Sequence, residues 1–162
     1  MIEAEWWEYD SLDELADAIA GDIGFIIESA VDARDASLIA VPGGKTGPAI
    51  FPKLVAQQLK WKRVTIIPTD ERVVPVDSDQ SNIREIARAF LPTGARVFPI
   101  VSNAAEDYRL AGNAADARLQ DLPWPPTSCG SAWAKTDIRH PSLPAPTCRA
   151  RSTHQRRGGP SE

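Results

Sequence analysis

The sequence predicts an α/β domain, with a Rossmann-like and mainly parallel sheet covered by helices on both faces. Helix-period segments alternate with short β-branched apolar runs along most of the chain, a pattern that places each strand beside the next through a crossover helix. The two most apolar of those runs, at 37–41 and 64–67, read as strands buried on both faces, as a parallel sheet requires. A third observation limits the domain to residues 1–126. Residues 127–162 hold both cysteines and both histidines but only Ile138 and Leu143 from the set Leu, Ile, Val, Phe and Met, too few for a core layer. An irregular tail is therefore expected over 127–162.

Charge divides at the same point. The tail carries six basic residues against two acidic, and the body 12 against 20, so the body is acidic and cysteine-free. Such a body suggests no nucleic-acid partner, and Arg156-Arg157 is a thin basis for a basic patch. The first ten residues are acidic and include Trp6 and Trp7, so they do not resemble a secretory or transit signal, and no run of about 20 apolar residues could span a membrane. A cytoplasmic protein is expected. The two cysteines have no metal-ligand spacing, and no cofactor or metal is implied.

Ser11-Leu-Asp-Glu14 has the pattern of a capping box, followed at helical spacing by Leu15, Ala16, Ile19, Ile23, Ile26 and Ile27, which predicts a helix over about 12–30. The strand at 37–41 then breaks into Pro42-Gly-Gly-Lys-Thr-Gly-Pro48 and a helix over 48–59, with Pro48 in the first turn, where its missing N–H costs nothing. Glycine-freed backbone N–H groups and the positive end of a helix dipole make such a turn suited to a phosphate, and Lys45 and Thr46 add an ammonium and a hydroxyl. A Walker loop would need glycine at Ile39, so this is no ATP-type loop. Taken alone, the turn equally suits a simple strand-to-helix link.

The strand at 64–67 ends in Pro68-Thr-Asp-Glu-Arg72. Ligands in open α/β sheets bind beyond the carboxyl ends of strands, so the glycine loop and Asp70, Glu71 and Arg72 are expected in one crevice, against the alternative of a solvated loop. Ser81-Asn-Ile-Arg-Glu85 predicts a serine-capped helix to about residue 90, and 96–101 a third strand with an internal proline that favours an edge. A last helix is expected over 104–119, with Tyr108, Leu110, Ala114 and Leu119 as buried candidates.

Val41-Pro-Gly-Gly-Lys-Thr-Gly-Pro48, Thr69-Asp-Glu-Arg-Val-Val-Pro75 and Asp79-Gln-Ser-Asn82 together resemble the N-terminal half of bacterial 6-phosphogluconolactonases, which belong with the isomerases and deaminases of the glucosamine-6-phosphate type. The resemblance covers roughly residues 1–126. It implies that Gly43, Gly44 and Thr46 hold a sugar phosphate, that Arg72 helps bind the anion, and that Asp70, Glu71 and Asn82 complete the site. Lys45 stands where a serine is common, and its charge strengthens phosphate attraction. The activity implied is hydrolysis of 6-phospho-D-glucono-1,5-lactone to 6-phosphogluconate, without metal or organic cofactor.

Family members continue into a Gly-x-Gly-x-Asp-Gly-His motif whose histidine serves in catalysis, and this frame lacks it. Neither His140 nor His154 lies in such a motif, so no catalytic residue is assigned. The genetic code accounts for the loss. When each codon is read as the last base of one residue and the first two of the next, the Trp133/Ala134 junction gives an obligatory glycine, Lys135/Thr136 only Asp or Asn, and Asp137/Ile138 only His or Tyr. The shifted frame is compatible throughout with Asp-Leu-Val-Trp-Leu-Gly-Met-Gly-Glu-Asp-Gly-His-Thr-Ala-Ser-Ile-Phe. The expectation is a one-base loss in the codons for Pro125 and Pro126, against a genuine disordered basic tail. An amino-sugar-phosphate deaminase or isomerase is the second reading, and a non-catalytic sugar-phosphate-binding remnant the third. The shifted frame fits His-Thr-Ala-Ser and excludes the His-Ile-Ala-Phe of the deaminases.

Overall fold

The computed structural model describes residues 8–44, 46–101 and 107–129. Within them four strands form one parallel sheet in the order β3-β2-β1-β4, where β1 is Ser37–Val41, β2 Val64–Pro68, β3 Arg96–Val97 and β4 Ser128–Cys129. The helices are α1 (Leu12–Arg34), α2 (Gly47–Val55), α3 (Asn82–Phe90) and α4 (Tyr108–Leu119). The central pair is in register from Ser37 opposite Val64 to Val41 opposite Pro68, so both strands end at one level.

Alternation along β1 divides the core. Ile39 and Val41 face α1, α2 and α3 and pack with Ile27, Leu54, Ile66, Ile86 and Phe90, while Leu38 and Ala40 pack on the other face with Ile67, Leu122 and Leu119. Phe90 is fully buried, its ring 5.0 Å from Phe51 edge-on and 5.7 Å from Trp61. These three rings join α2, α3 and the turn before β2 in one contact.

Several element boundaries differ from the sequence expectation. The Ser11 hydroxyl caps α1 by accepting from the Glu14 N–H at 3.2 Å, but the helix continues to Arg34 because Ala30 and Val31 stay buried, and it stops where Asp35 turns left-handed at φ 56°. Helix α2 ends at Val55 rather than 59. Beyond it the Gln57 side chain donates to the carbonyl of Ala20 at 2.8 Å while its own carbonyl accepts from the Trp61 indole at 3.2 Å, bonds that tie this segment to α1 and to the turn before β2. Strand β3 has two residues instead of six, since Pro99 has no N–H to continue the ladder after Phe98 donates to Ile66 at 2.8 Å.

Helix α4 begins at Tyr108, capped by Asp107, whose carboxylate accepts from the N–H groups of Arg109 and Leu110; residues 104–106 of the expected helix lie outside the described residues. Its expected buried set needs correction. Tyr108 is 71% exposed, Leu110 55% exposed, Ala114 is exposed, and Leu119 is half-buried against the second core cluster. Tyr108 and Leu110 lie roughly 200° apart around a helix and cannot share a face. The least exposed stripe is instead Ala111, Ala115, Arg118 and Leu119. Ser128 and Cys129, within the stretch expected to be irregular, pair with Ile39 and Ala40 of β1 and form a short strand. Residues 130–162 lie outside the described residues.

Candidate functional site

The sheet order changes direction between β1 and β4, since β1 leads to β2 and β3 on one side and the chain returns through α4 to the other. That switch point, at the carboxyl ends of the strands, is where open α/β sheets take ligands. The glycine loop leaves β1 there. Gly44 has φ 87°, a left-handed conformation that glycine adopts without Cβ strain. Lys45 lies outside the described residues. Thr46 precedes α2, accepting through its carbonyl from the N–H groups of Ala49 and Ile50, and its hydroxyl makes no capping bond, which leaves it available at the mouth of the helix. A mainly apolar cavity of about 140 Å³ opens beside it, with Val41, Pro42, Thr46, Phe51 and Ser128 among its walls.

The loop after β2 is held to the end of β1 by the Thr69 N–H, which donates to the Val41 carbonyl at 3.0 Å. Asn82, 5% exposed, then binds three segments together. Its Nδ2 donates to the Asp70 carbonyl at 3.0 Å and to Asp70 Oδ2 at 3.2 Å, its Oδ1 accepts from Arg72 at 3.5 Å, and its side chain packs directly on Gly43. A Cβ on Gly43 would stand 2.2 Å from Asn82 Cγ and Oδ1, so the second loop and α3 require a glycine in the first. Sequence position alone does not reveal this contact, because 39 residues separate the partners in the chain.

Glu71 has a different place from the one its motif suggests. Its Oε1 accepts from the N–H groups of Asn82 at 2.8 Å and Arg72 at 3.0 Å, and its Oε2 from the Ile83 N–H at 2.7 Å and the Ser81 hydroxyl at 3.2 Å. The carboxylate therefore caps α3, and the expected serine cap is corrected: Ser81 makes no capping bond and donates to Glu71 instead. A charged acceptor over helix-opening N–H groups is favoured by both hydrogen bonding and the helix dipole. With four protein donors on its two oxygens, Glu71 acts as scaffold. Arg72 is exposed and donates to the Gln80 carbonyl, which aims it across the start of α3.

The structure thus gathers Gly43, Gly44, Asp70, Glu71, Arg72 and Asn82 at one edge of the sheet, with Thr46 on the β4 side of the same loop. Sequence reading missed the side chains beyond them on α3. Arg84 and Arg88 line a cleft of about 330 Å³ with Gly44, Arg72, Ser81 and Asn82, and their four-residue spacing was the available signal. Among the described residues no cluster of three or more His, Cys, Asp or Glu is placed to hold a metal ion, and no helix is long and apolar enough to cross a membrane.

Residues 10–138 match the family described as glucosamine-6-phosphate isomerases/6-phosphogluconolactonase. A 6-phosphogluconolactonase of Rhizobium meliloti is 37% identical over 117 residues, covering 70% of this chain and 50% of that protein, and one of Thermotoga maritima is 34% identical over 87 residues, covering 51% and 40%. The crystal structure of a 6-phosphogluconolactonase from Shewanella baltica superposes with a TM-score of 0.67 at 28% identity, covering 71% of this chain and 50% of that one. The chain spans about half the length of the curated relatives it matches.

Proposed function

We propose, since this chain belongs to the family of glucosamine-6-phosphate isomerases and 6-phosphogluconolactonases, that it carries the sugar-phosphate-binding half of a cytoplasmic 6-phosphogluconolactonase of the oxidative pentose phosphate pathway. The observation that carries this reading is the convergence of the glycine loop and the Asp70-Glu71-Arg72 loop on Asn82, at the carboxyl edge of a parallel sheet. In this reading Gly43, Gly44, Lys45 and Thr46 receive the phosphate. Arg72 adds a guanidinium, while Asp70, Glu71 and Asn82 hold the two loops at the spacing the ligand needs. Each bond from a charged donor to a phosphate oxygen contributes more than a neutral one.

The reaction assigned to the intact protein adds water to the C1 carbonyl of 6-phospho-D-glucono-1,5-lactone. A base takes the proton of water as the C1–O bond forms, the ring C–O bond breaks, and the ring oxygen leaves as the C5 hydroxyl, giving 6-phosphogluconate. An imidazole suits this work near neutral pH. The shifted reading frame supplies such a histidine, and the position of β4 supports that frame. At 128–129, where Ser128 and Cys129 pair with β1, the shifted frame reads Leu-Val, the apolar pair that a strand beside Ile39 and Ala40 calls for. The residues that follow would leave the sheet next to the glycine loop. The tail from 127 is accordingly read as out-of-frame translation and the 162-residue chain as inactive.

The test compares acid release from freshly generated 6-phosphogluconolactone by the 162-residue chain and by a chain with one base restored near codon 126. The expected result is turnover by the restored chain and only the spontaneous rate with the 162-residue one, since loss of a general base costs about 10²–10⁴-fold. Substantial turnover by the 162-residue chain would overturn the assignment. A second measurement addresses the loop: calorimetry with 6-phosphogluconate is expected to lose most of its signal in Thr46→Ala combined with Lys45→Ala.

A further inference from the structure

A row of paired residues crosses the sheet from edge to edge: Val97 of β3, Ile66 of β2, Ile39 of β1 and Ser128 of β4. Residues paired across a ladder point to one face, and the first three pack in or against the main core cluster under the helices. The row therefore ends on a hydroxyl where its face calls for an aliphatic side chain. The mainly apolar cavity of about 140 Å³ lies at that end, with Ile19 and Ile23 of α1, Ile39 of β1 and Ile50 and Phe51 of α2 around Ser128. Among the described residues Thr46 and Ser128 are its only polar side chains, and neither hydroxyl makes a hydrogen bond. A water needs about two to four polar partners, so these walls disfavour it, and apolar cavities of about 150 Å³ take up benzene or xenon instead. Collapse onto the space is opposed by the core itself, because Phe51 is fixed against Phe90 at 5.0 Å. The shifted frame reads leucine at 128, a longer apolar side chain that reaches into the same space.

We propose that this cavity is a binding site for one compact apolar molecule, a single unsubstituted ring of about six carbons, held between α1, α2 and the β1–β4 edge. Recognition is by shape and burial alone, so charged and strongly hydrated ligands are excluded. The site stands whether or not the loop above it takes a phosphate, since the walls that hold the ring are apolar.

Titration of the full 162-residue chain with benzene, followed through the isoleucine methyl resonances, tests this. Saturable shifts are expected at Ile19, Ile23, Ile39 and Ile50, with a dissociation constant on the order of 1 mM, and none at Ile83 on α3, which is no part of the walls. Ser128→Leu should weaken binding at least about tenfold and Ser128→Ala leave it within about twofold, since the first fills the space and the second only removes the hydroxyl. Ile19→Phe narrows the cavity from α1 without touching β4, and the same loss is expected there. Absence of saturable shifts, shifts spread evenly over all the isoleucines, or parental affinity in both Ser128→Leu and Ile19→Phe would each overturn the site.

Discussion

Asn82 and Glu71 show how single polar side chains replace regular structure between the strand ends. Because Asn82 packs on Gly43, Gly43→Ala is expected to destabilise the chain by about 1–3 kcal/mol, the usual range for overpacking. The same substitution placed on Asn82→Ala should cost less, and a coupling of about 1 kcal/mol or more in urea titrations of the four chains would locate the strain between these two residues. Glu71→Ala removes an acceptor from three N–H groups and one hydroxyl, so a loss of about 2 kcal/mol is expected, with amide exchange rising first at Asn82 and Ile83. Unchanged exchange at those two amides would show that water caps α3 equally well.

At the scale of elements, α1 and α2 are joined by burial and by one ionic contact. Lys53 on α2 lies 2.7 Å from both Asp13 and Asp17 of α1, and hydrogen bonds to these carboxylates, Asp13 first, raise its pKa above the ordinary 10.5. A raised folded-state pKa stabilises the protein fully below the unfolded value and loses that contribution as pH climbs through the folded one. The stability difference between the parent chain and Asp13→Asn/Asp17→Asn should therefore be constant to about pH 9 and shrink above 10.5, measured by denaturant titration across that range. The apolar part of the assembly weighs more. Phe90→Ala would leave a cavity between Phe51 and Trp61 and is expected to cost about 3–5 kcal/mol, enough to unfold a domain of ordinary stability.

For the molecule as a whole, the sheet formed by the described residues is strong at its centre and thin at its edges. Strands β1 and β2 pair over five residues, whereas β3 and β4 contribute two each. Strand β4 is held largely through Thr127, whose N–H donates to the Leu38 carbonyl at 2.6 Å and whose Oγ1 accepts from Arg34, Ser37 and the Leu38 N–H. Thr127→Val removes the acceptor while keeping the shape, and is expected to speed amide exchange in Ser128–Cys129 about fivefold with little change at Ile39 or Ile66. A uniform rise across the sheet would mean that β4 is integral to the central pair. The thin β4 edge lies at the switch point, the side on which the shifted frame would continue the fold.

The alternation of helix and strand, both central strands, the capped start of α1 and the placing of the two loops at the strand ends were legible in the sequence, because each depends on near neighbours: periodicity, β-branching, a serine three residues before a glutamate, glycines after an apolar run. The ends of α1 and α2, the length of β3 and the buried face of α4 were not, since burial against distant partners sets them, and a helix such as α4 with few large apolar residues announces no face of its own. The site divides in the same way. Its residues could be picked out from their types and from the strand ends they follow, but only the tertiary structure makes Glu71 the cap of α3, Asn82 the reason for Gly43, and Arg72 and Arg88 the walls of one cleft. Those roles arise from hydrogen bonds and contacts between segments 10 to 39 residues apart, which no local pattern encodes.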